Sequence, residues 1–164
     1  MCAWVNSTNV EEATNDPLNP SVFYDGIEYT TDNAEYRLAK FTNEFTDHFN
    51  KNFTIFYYVL THVLLMIDSR AKNMMIATWD NQHWYPIFYD MDTMLGLNNY
   101  GYNKFDYNVE DNESLYPNVY NGQNSVLWLN LRTCFPAEIS DMYNEMQKDG
   151  GLTYGNLLRN YNAI

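Results

Sequence analysis

The sequence MIDSRAKN occupies residues 66–73, and the sequence DMD occupies residues 90–92. Between them, residues 73–79 and 84–89 are short, rich in bulky side chains and separated by a polar tetrapeptide. This pattern predicts a strand, a turn and a second strand. A hairpin returns the chain to the end from which it started, so we expect the two acidic stretches to lie close together.

The sequence on the N-terminal side of this region predicts two helices. Asp32 or Asn33 is a candidate N-cap. Apolar side chains then recur at spacings of three and four, which gives the first helix one apolar face: Leu38, Phe41, Phe45 and Phe49. Residues 53–66 are apolar almost all round and predict a central helix, with Phe56 and Leu60 in the core.

The sequence on the C-terminal side predicts a long loop and then further helices. Residues 93–117 are rich in Asn, Gly, Tyr and Asp and are typical of a loop. Residues 125–132 and 136–148 predict two helices, the second starting at a proline, and residues 154–161 predict a short last one. The predicted fold class is therefore α+β and mainly helical.

The predicted elements suggest three segments. Residues 1–32 read as an irregular N-terminal segment with one short hairpin near residues 24–29, residues 33–149 as the core, and residues 150–164 as a C-terminal extension. We expect the chain to be a fragment of a larger protein or assembly. On that hypothesis the apolar side chains of the first segment pack against other polypeptide: Trp4, Val5, Val22, Phe23 and Tyr24.

The composition limits the classes of partner. The 164 residues carry a formal net charge of −12, which argues against nucleic-acid binding because phosphate contacts depend on Lys and Arg. The most apolar stretch, residues 53–67, is too short to span a bilayer, so we expect no membrane span. The two cysteines form no CxxC or Cys/His metal motif.

The order of helix, D-x-x-x-x-N loop, hairpin and D-x-D matches the catalytic core of the protein-kinase fold. Phosphoryl transfer needs a carboxylate near the attacking hydroxyl and oxygen ligands for Mg²⁺ near the phosphates. In this interpretation Asp68 is the catalytic base and Arg70 contacts the transferred phosphoryl group. Asn73, Asp90 and Asp92 then coordinate the metal.

Each of these residues also has a purely structural interpretation. Asp68 can end the preceding helix, Asn73 can be a turn residue, and residues 90–92 can be a solvated strand end. No G-x-G-x-x-G loop and no strand lysine with a helix glutamate precede Asp68, which favours a structural role. The excess of Trp and Tyr also leaves open a carbohydrate-binding module, on composition alone.

The motifs resemble those of the CotH family of spore-coat-type kinases. That family has an Asp-containing loop ending in Lys-Asn, an aromatic hairpin, a D-x-D-x-x-x-G segment, an apolar helix and an aromatic-rich helix. The corresponding stretches here are residues 68–73, 84–89, 90–96, 126–131 and 135–146. The resemblance covers about residues 35–148. It implies a partial kinase-like C-lobe that uses ATP and Mg²⁺, with Lys72 and Asn73 binding the cofactor.

A narrower resemblance concerns large virion or tail-associated proteins of gut-type bacteriophages. The strings EYRLAKF at 35–41, DSRAKN at 68–73, YDMDT at 89–93 and NGQNSVLW at 121–128 are similar to strings in those proteins. This resemblance implies a structural, tail-associated component of a virion, made in the host cytoplasm. Its partners are then other virion subunits or the rest of a longer parent chain, and the isolated chain is expected to be inactive as a kinase.

Overall fold

Helices and two short antiparallel ribbons make up the described part of the chain, and the predicted α+β class is confirmed. The computed structural model describes residues 4–5, 21–66, 68–70, 72–95, 97, 100–102, 125–148 and 151–163. About half of these residues are helical. Most of the predicted loop, from residue 103 onward, lies outside the described residues.

The first ribbon pairs β1, Val22–Tyr24, with β2, Ile27–Tyr29. Its turn is Asp25-Gly26, and both residues have positive φ, 50° and 79°, as a tight hairpin turn requires. The predicted hairpin is therefore confirmed.

The aromatic side chains of the N-terminal segment behave differently from one another. Trp4 packs against the chain's own core, with its ring centroid 5.4 Å from that of Phe41, and Val5 packs on the same core. We expected Trp4 and Val5 to contact other polypeptide. In the structure, the core of this chain provides a packing surface for both side chains. Phe23 on β1 is 64% exposed.

The first helix, α1, spans Ala34–His48. Asn33 caps it, with its side chain accepting a hydrogen bond from the Tyr36 N–H at 2.8 Å. The predicted apolar face is buried at Phe41, Phe45 and Phe49. One face of α1, together with the residue that follows the helix, thus supplies a row of neighbouring rings to the core.

The second helix, α2, spans Lys51–Val63 and is central, as predicted. Its buried side chains include Ile55, Tyr57 and Val59. The expectation that Phe56 and Leu60 are core residues was wrong, because both are partly exposed. The helix is apolar almost all round, so composition does not show which side is covered, and the structure covers the side that carries Tyr57.

The second ribbon pairs β3, Met75–Thr78, with β4, Trp84–Ile87, in the register Met75 opposite Ile87. The predicted strand, turn and strand are confirmed. Asp80 holds the turn: its Oδ1 accepts hydrogen bonds from the backbone N–H groups of Gln82 at 2.9 Å and His83 at 2.8 Å. Its Oδ2 accepts one from His83 Nδ1 at 2.5 Å.

The turn makes stability depend on pH in a defined direction. The hydrogen bond from the His83 ring, and then the backbone N–H bonds, hold the pKa of Asp80 well below its usual range. Ionised Asp80 therefore stabilises the folded state above the unfolded pKa of about 4, and this contribution is lost as the pH falls through the lower folded value.

We expect Asp80→Asn to be less stable than the wild type at about pH 7, with a difference that shrinks as the pH falls below about 4. Urea denaturation of both proteins at several pH values measures this difference. Asp141→Asn, which changes an exposed carboxylate on a helix away from this turn, is the control. A difference between wild type and Asp80→Asn that does not vary with pH would contradict the prediction.

Three further helices complete the described structure: α3, Val126–Cys134; α4, Pro136–Lys148; and α5, Tyr154–Asn162. All three lie where the sequence predicts helices. Leu127, Trp128 and Leu131 of α3 are buried, whereas α4 contributes only partly buried side chains to the core. None of the described helices is long and apolar enough to cross a membrane.

Candidate functional site

The loop that joins α2 to β3 carries the predicted site residues. Two backbone hydrogen bonds shape it: Ser69 N–H donates to the Met66 carbonyl at 3.2 Å, and Asn73 N–H donates to the Asp68 carbonyl at 3.0 Å. The second bond closes the loop on itself. Asp68 and Asn73 are thus adjacent at the point where the loop closes.

Asp68 is buried, with only 4% of its surface exposed. Its Oδ2 lies 3.4 Å from Lys72 Nζ, and the Lys72 side chain is 60% exposed. A buried carboxylate needs compensating partners, and this lysine supplies one positive charge at the protein surface. Lys72 therefore lies beside the predicted base.

Asn73 connects the loop to the end of the second ribbon. Its Nδ2 donates a hydrogen bond to the Asp90 carbonyl at 3.2 Å. Asp90 has a positive φ of 51°, and both Asp90 and Asp92 are exposed. The structure therefore brings Asp68, Asn73 and Asp90 to one end of the hairpin, with Asp92 two residues further along the chain.

The side chains at this end of the hairpin carry oxygen atoms, the type of ligand that Mg²⁺ binds. The Asn73 amide nitrogen is engaged with the Asp90 carbonyl, so its Oδ1 is the oxygen left as a ligand, and the carboxylates of Asp90 and Asp92 are exposed. Mg²⁺ prefers such oxygen donors and keeps several waters. Among the described residues, no group of three or more His, Cys, Asp or Glu forms a metal cluster, so a metal here would also depend on water or phosphate oxygens.

Arg70, the other predicted catalytic residue, is directed at α2. Its Nε donates to Thr61 Oγ1 at 3.1 Å and its Nη2 to the Tyr58 carbonyl at 3.3 Å. The guanidinium also lies 4.4 Å from the centroid of the Tyr58 ring, and Arg70 is only 4% exposed. These contacts hold the loop against the last turns of the helix.

Two aromatic side chains that sequence reasoning did not single out also hold the loop. Tyr57 donates its hydroxyl to the Ser69 carbonyl at 2.5 Å, and burial raises the pKa of Tyr57 to about 12. Trp128 of α3 donates its indole N–H to the Arg70 carbonyl at 2.8 Å. Buried Tyr and Trp side chains need such hydrogen-bond partners. A Tyr or Trp within an apolar helix is therefore the sequence signal by which these two residues could have been found.

The loop is therefore fixed from both helices that flank it. α2 supplies the Tyr57 hydroxyl and the surface that receives Arg70, and α3 supplies the Trp128 indole.

Comparison of the chain with protein-family models, with curated proteins and with solved structures finds no match.

Proposed function

We propose that residues 66–92 form a kinase-like loop and acidic segment of the CotH type, carried by a structural, tail-associated component of a bacteriophage virion. In this proposal residues 33–149 correspond to part of a kinase-like C-lobe. The supporting observation is that Asn73 donates its backbone N–H to the Asp68 carbonyl and its side-chain Nδ2 to the Asp90 carbonyl. The nearness of the loop to the acidic segment supports this proposal.

The packing of the loop favours the structural role over catalysis. The Asp68 carboxylate is buried beside Lys72, and the Arg70 guanidinium is engaged with Thr61 and Tyr58. Both side chains that the catalytic interpretation assigns to chemistry therefore contribute to holding the loop.

Peptide mass spectrometry of purified particles tests the structural role. Peptides of this chain are expected in density-purified virions at the stoichiometry of other structural proteins, and to persist after high-salt washing. Recovery of the chain only from the soluble fraction of infected cells would contradict the proposal.

The second candidate is a protein kinase that transfers the γ-phosphate of ATP to a Ser or Thr hydroxyl. The proximity of Asn73 to Asp90 favours it, because both carry oxygen ligands for Mg²⁺. Asp68 would accept the proton of the acceptor hydroxyl while the oxygen of that hydroxyl forms a bond to the γ-phosphorus. The bond from the γ-phosphorus to ADP breaks, and ADP departs. The contacts of Arg70 make it a residue that positions the loop in this reaction.

The two candidates predict different responses to nucleotide. For the structural role, Mg²⁺ with millimolar ATP is expected to leave the thermal midpoint of the isolated chain unchanged, because no ligand binds the folded state. Differential scanning fluorimetry measures this midpoint. A rise that Asp90→Ala or Asp92→Ala abolishes, and that the control Asp141→Ala retains, would contradict the prediction and support the kinase.

A further inference from the structure

The outer edge of β3 is open in the part of the chain that the structure describes. On β4, the Trp84 carbonyl accepts a hydrogen bond from the Asn50 N–H at 3.1 Å, and Pro86 has no N–H. The first observation shows that Trp84 directs its backbone groups away from β3, and Pro86, two residues further along the same strand, directs its own to the same side. Their register partners Thr78 and Ile76 therefore direct their own N–H and C=O groups outward from the ribbon.

One face of the same ribbon is apolar and exposed. Met75 and Ile87 lie directly opposite each other and are 49% and 42% exposed. Tyr89 is 54% exposed, whereas Phe88 between them packs inward with its ring centroid 4.7 Å from that of Tyr57. Exposed apolar patches beside an unprotected strand edge mark sites of strand addition.

The ribbon is uncharged along its length and acidic at its turn. Residues 73–79 and 84–89 contain no charged side chain. Natural edge strands are often protected by lysine, proline or an inward-pointing charge, and β3 contains none of these. Asp80 carries the charge at the turn, where its carboxylate is exposed and hydrogen-bonded to His83.

The opposite end of the ribbon is also acidic. Asp90 and Asp92 are exposed there, and the Asp90 carbonyl contacts Asn73, two residues before β3. The charge of Lys72 is opposed by that of Asp68 at 3.4 Å, so the two exposed carboxylates leave this end negative. The open edge therefore runs between two negative ends.

We propose that the outer edge of β3 pairs with an extended segment of a partner polypeptide that has an apolar centre and a basic residue at each end. The segment would form a third strand, bonded to the outward groups of Ile76 and Thr78 and packed on Met75. At about 3.3 Å per residue, β3 and its flanks match a segment of about seven residues. This inference requires neither nucleotide binding nor a place in a virion.

A second copy of this chain fits the edge poorly. Antiparallel pairing of two β3 strands would bring the Asp80 end of one chain toward the Asp90 end of the other. Like charges at both ends, on chains with a net charge of −12 each, oppose that pairing.

Two synthetic heptapeptides at pH 8 test the proposal: Arg-Val-Thr-Val-Thr-Val-Arg, and the same centre with Glu at both ends. The basic-ended peptide is expected to bind about tenfold more tightly at low salt, with the difference narrowing at about 1 M salt. NMR should show new hydrogen-exchange protection at the Ile76 and Thr78 amides. Equal binding of the two peptides, or protection only elsewhere, would overturn the proposal.

Thr78→Pro and Thr78→Val form the matched pair of variants. The β3–β4 ladder does not use the Thr78 N–H, so proline is tolerated there as at other strand edges, but its ring blocks an added strand. Thr78→Val keeps that N–H and, like the proline variant, lacks the hydroxyl bond to Asp80. Binding is expected to be lost in Thr78→Pro and kept in Thr78→Val.

The variants also distinguish a partner segment from a second copy. Retained binding in Thr78→Pro would overturn the proposal, and so would a dimer of the wild-type chain that this substitution makes monomeric. If Thr78→Pro fails to fold by circular dichroism, Ile76→Pro blocks the other outward N–H and gives the same comparison.

Discussion

Replacing Phe45 by Ala is expected to lower the free energy of unfolding by about 3–5 kcal/mol. Phe45 is fully buried. Its ring centroid lies 5.0 Å from that of Phe41, 5.1 Å from that of Phe49 and 5.2 Å from that of Phe135. Truncation would leave a cavity lined by rings, which cannot collapse without moving α1 away from the residue that joins α3 to α4.

Urea denaturation followed by far-UV circular dichroism measures this loss. Phe23→Ala is the matched control, because it removes the same side chain from a position that is 64% exposed, and it is expected to change the unfolding free energy by less than about 1 kcal/mol. A loss at Phe45 no larger than the loss at Phe23 would show that the ring cluster is not the centre of the core.

The sequence predicts the elements well where a local signal specifies them. The cap at Asn33, the turn at Asp25-Gly26 and the spacing of Phe41 and Phe45 are each set by neighbouring residues, and the structure has all of them. Such signals depend on hydrogen bonds and side-chain directions within a few residues, so no knowledge of the rest of the chain is needed.

The features that the sequence does not show depend on contacts between distant residues. The buried side of α2 could not be predicted, because Phe56 and Tyr57 are both aromatic and only the packing of neighbouring elements distinguishes them. The indole of Trp128 reaches the Arg70 carbonyl across 58 residues of sequence. The proximity of Asp68, Asn73 and Asp90, by contrast, was expected because a hairpin joins them.

The contacts of Arg70 give this residue a role in the stability of the fold, whether or not the loop is catalytic. Arg70→Ala is expected to lower the free energy of unfolding by about 2–4 kcal/mol. The substitution removes hydrogen bonds to Thr61 and to the Tyr58 carbonyl, and the stacking of the guanidinium over the Tyr58 ring. It also leaves a cavity between the loop and α2.

Arg70→Lys is expected to recover only part of the loss, since an ammonium group cannot reproduce the planar fork of the guanidinium. Arg37→Ala is the control: Arg37 also forms two hydrogen bonds, to Asp32, but in an exposed pair, so stability should change little. Urea denaturation of the three variants measures the effect. An arginine that served only to contact a phosphoryl group would leave the protein equally stable when replaced, so an Arg70→Ala variant as stable as Arg37→Ala would contradict the positioning role.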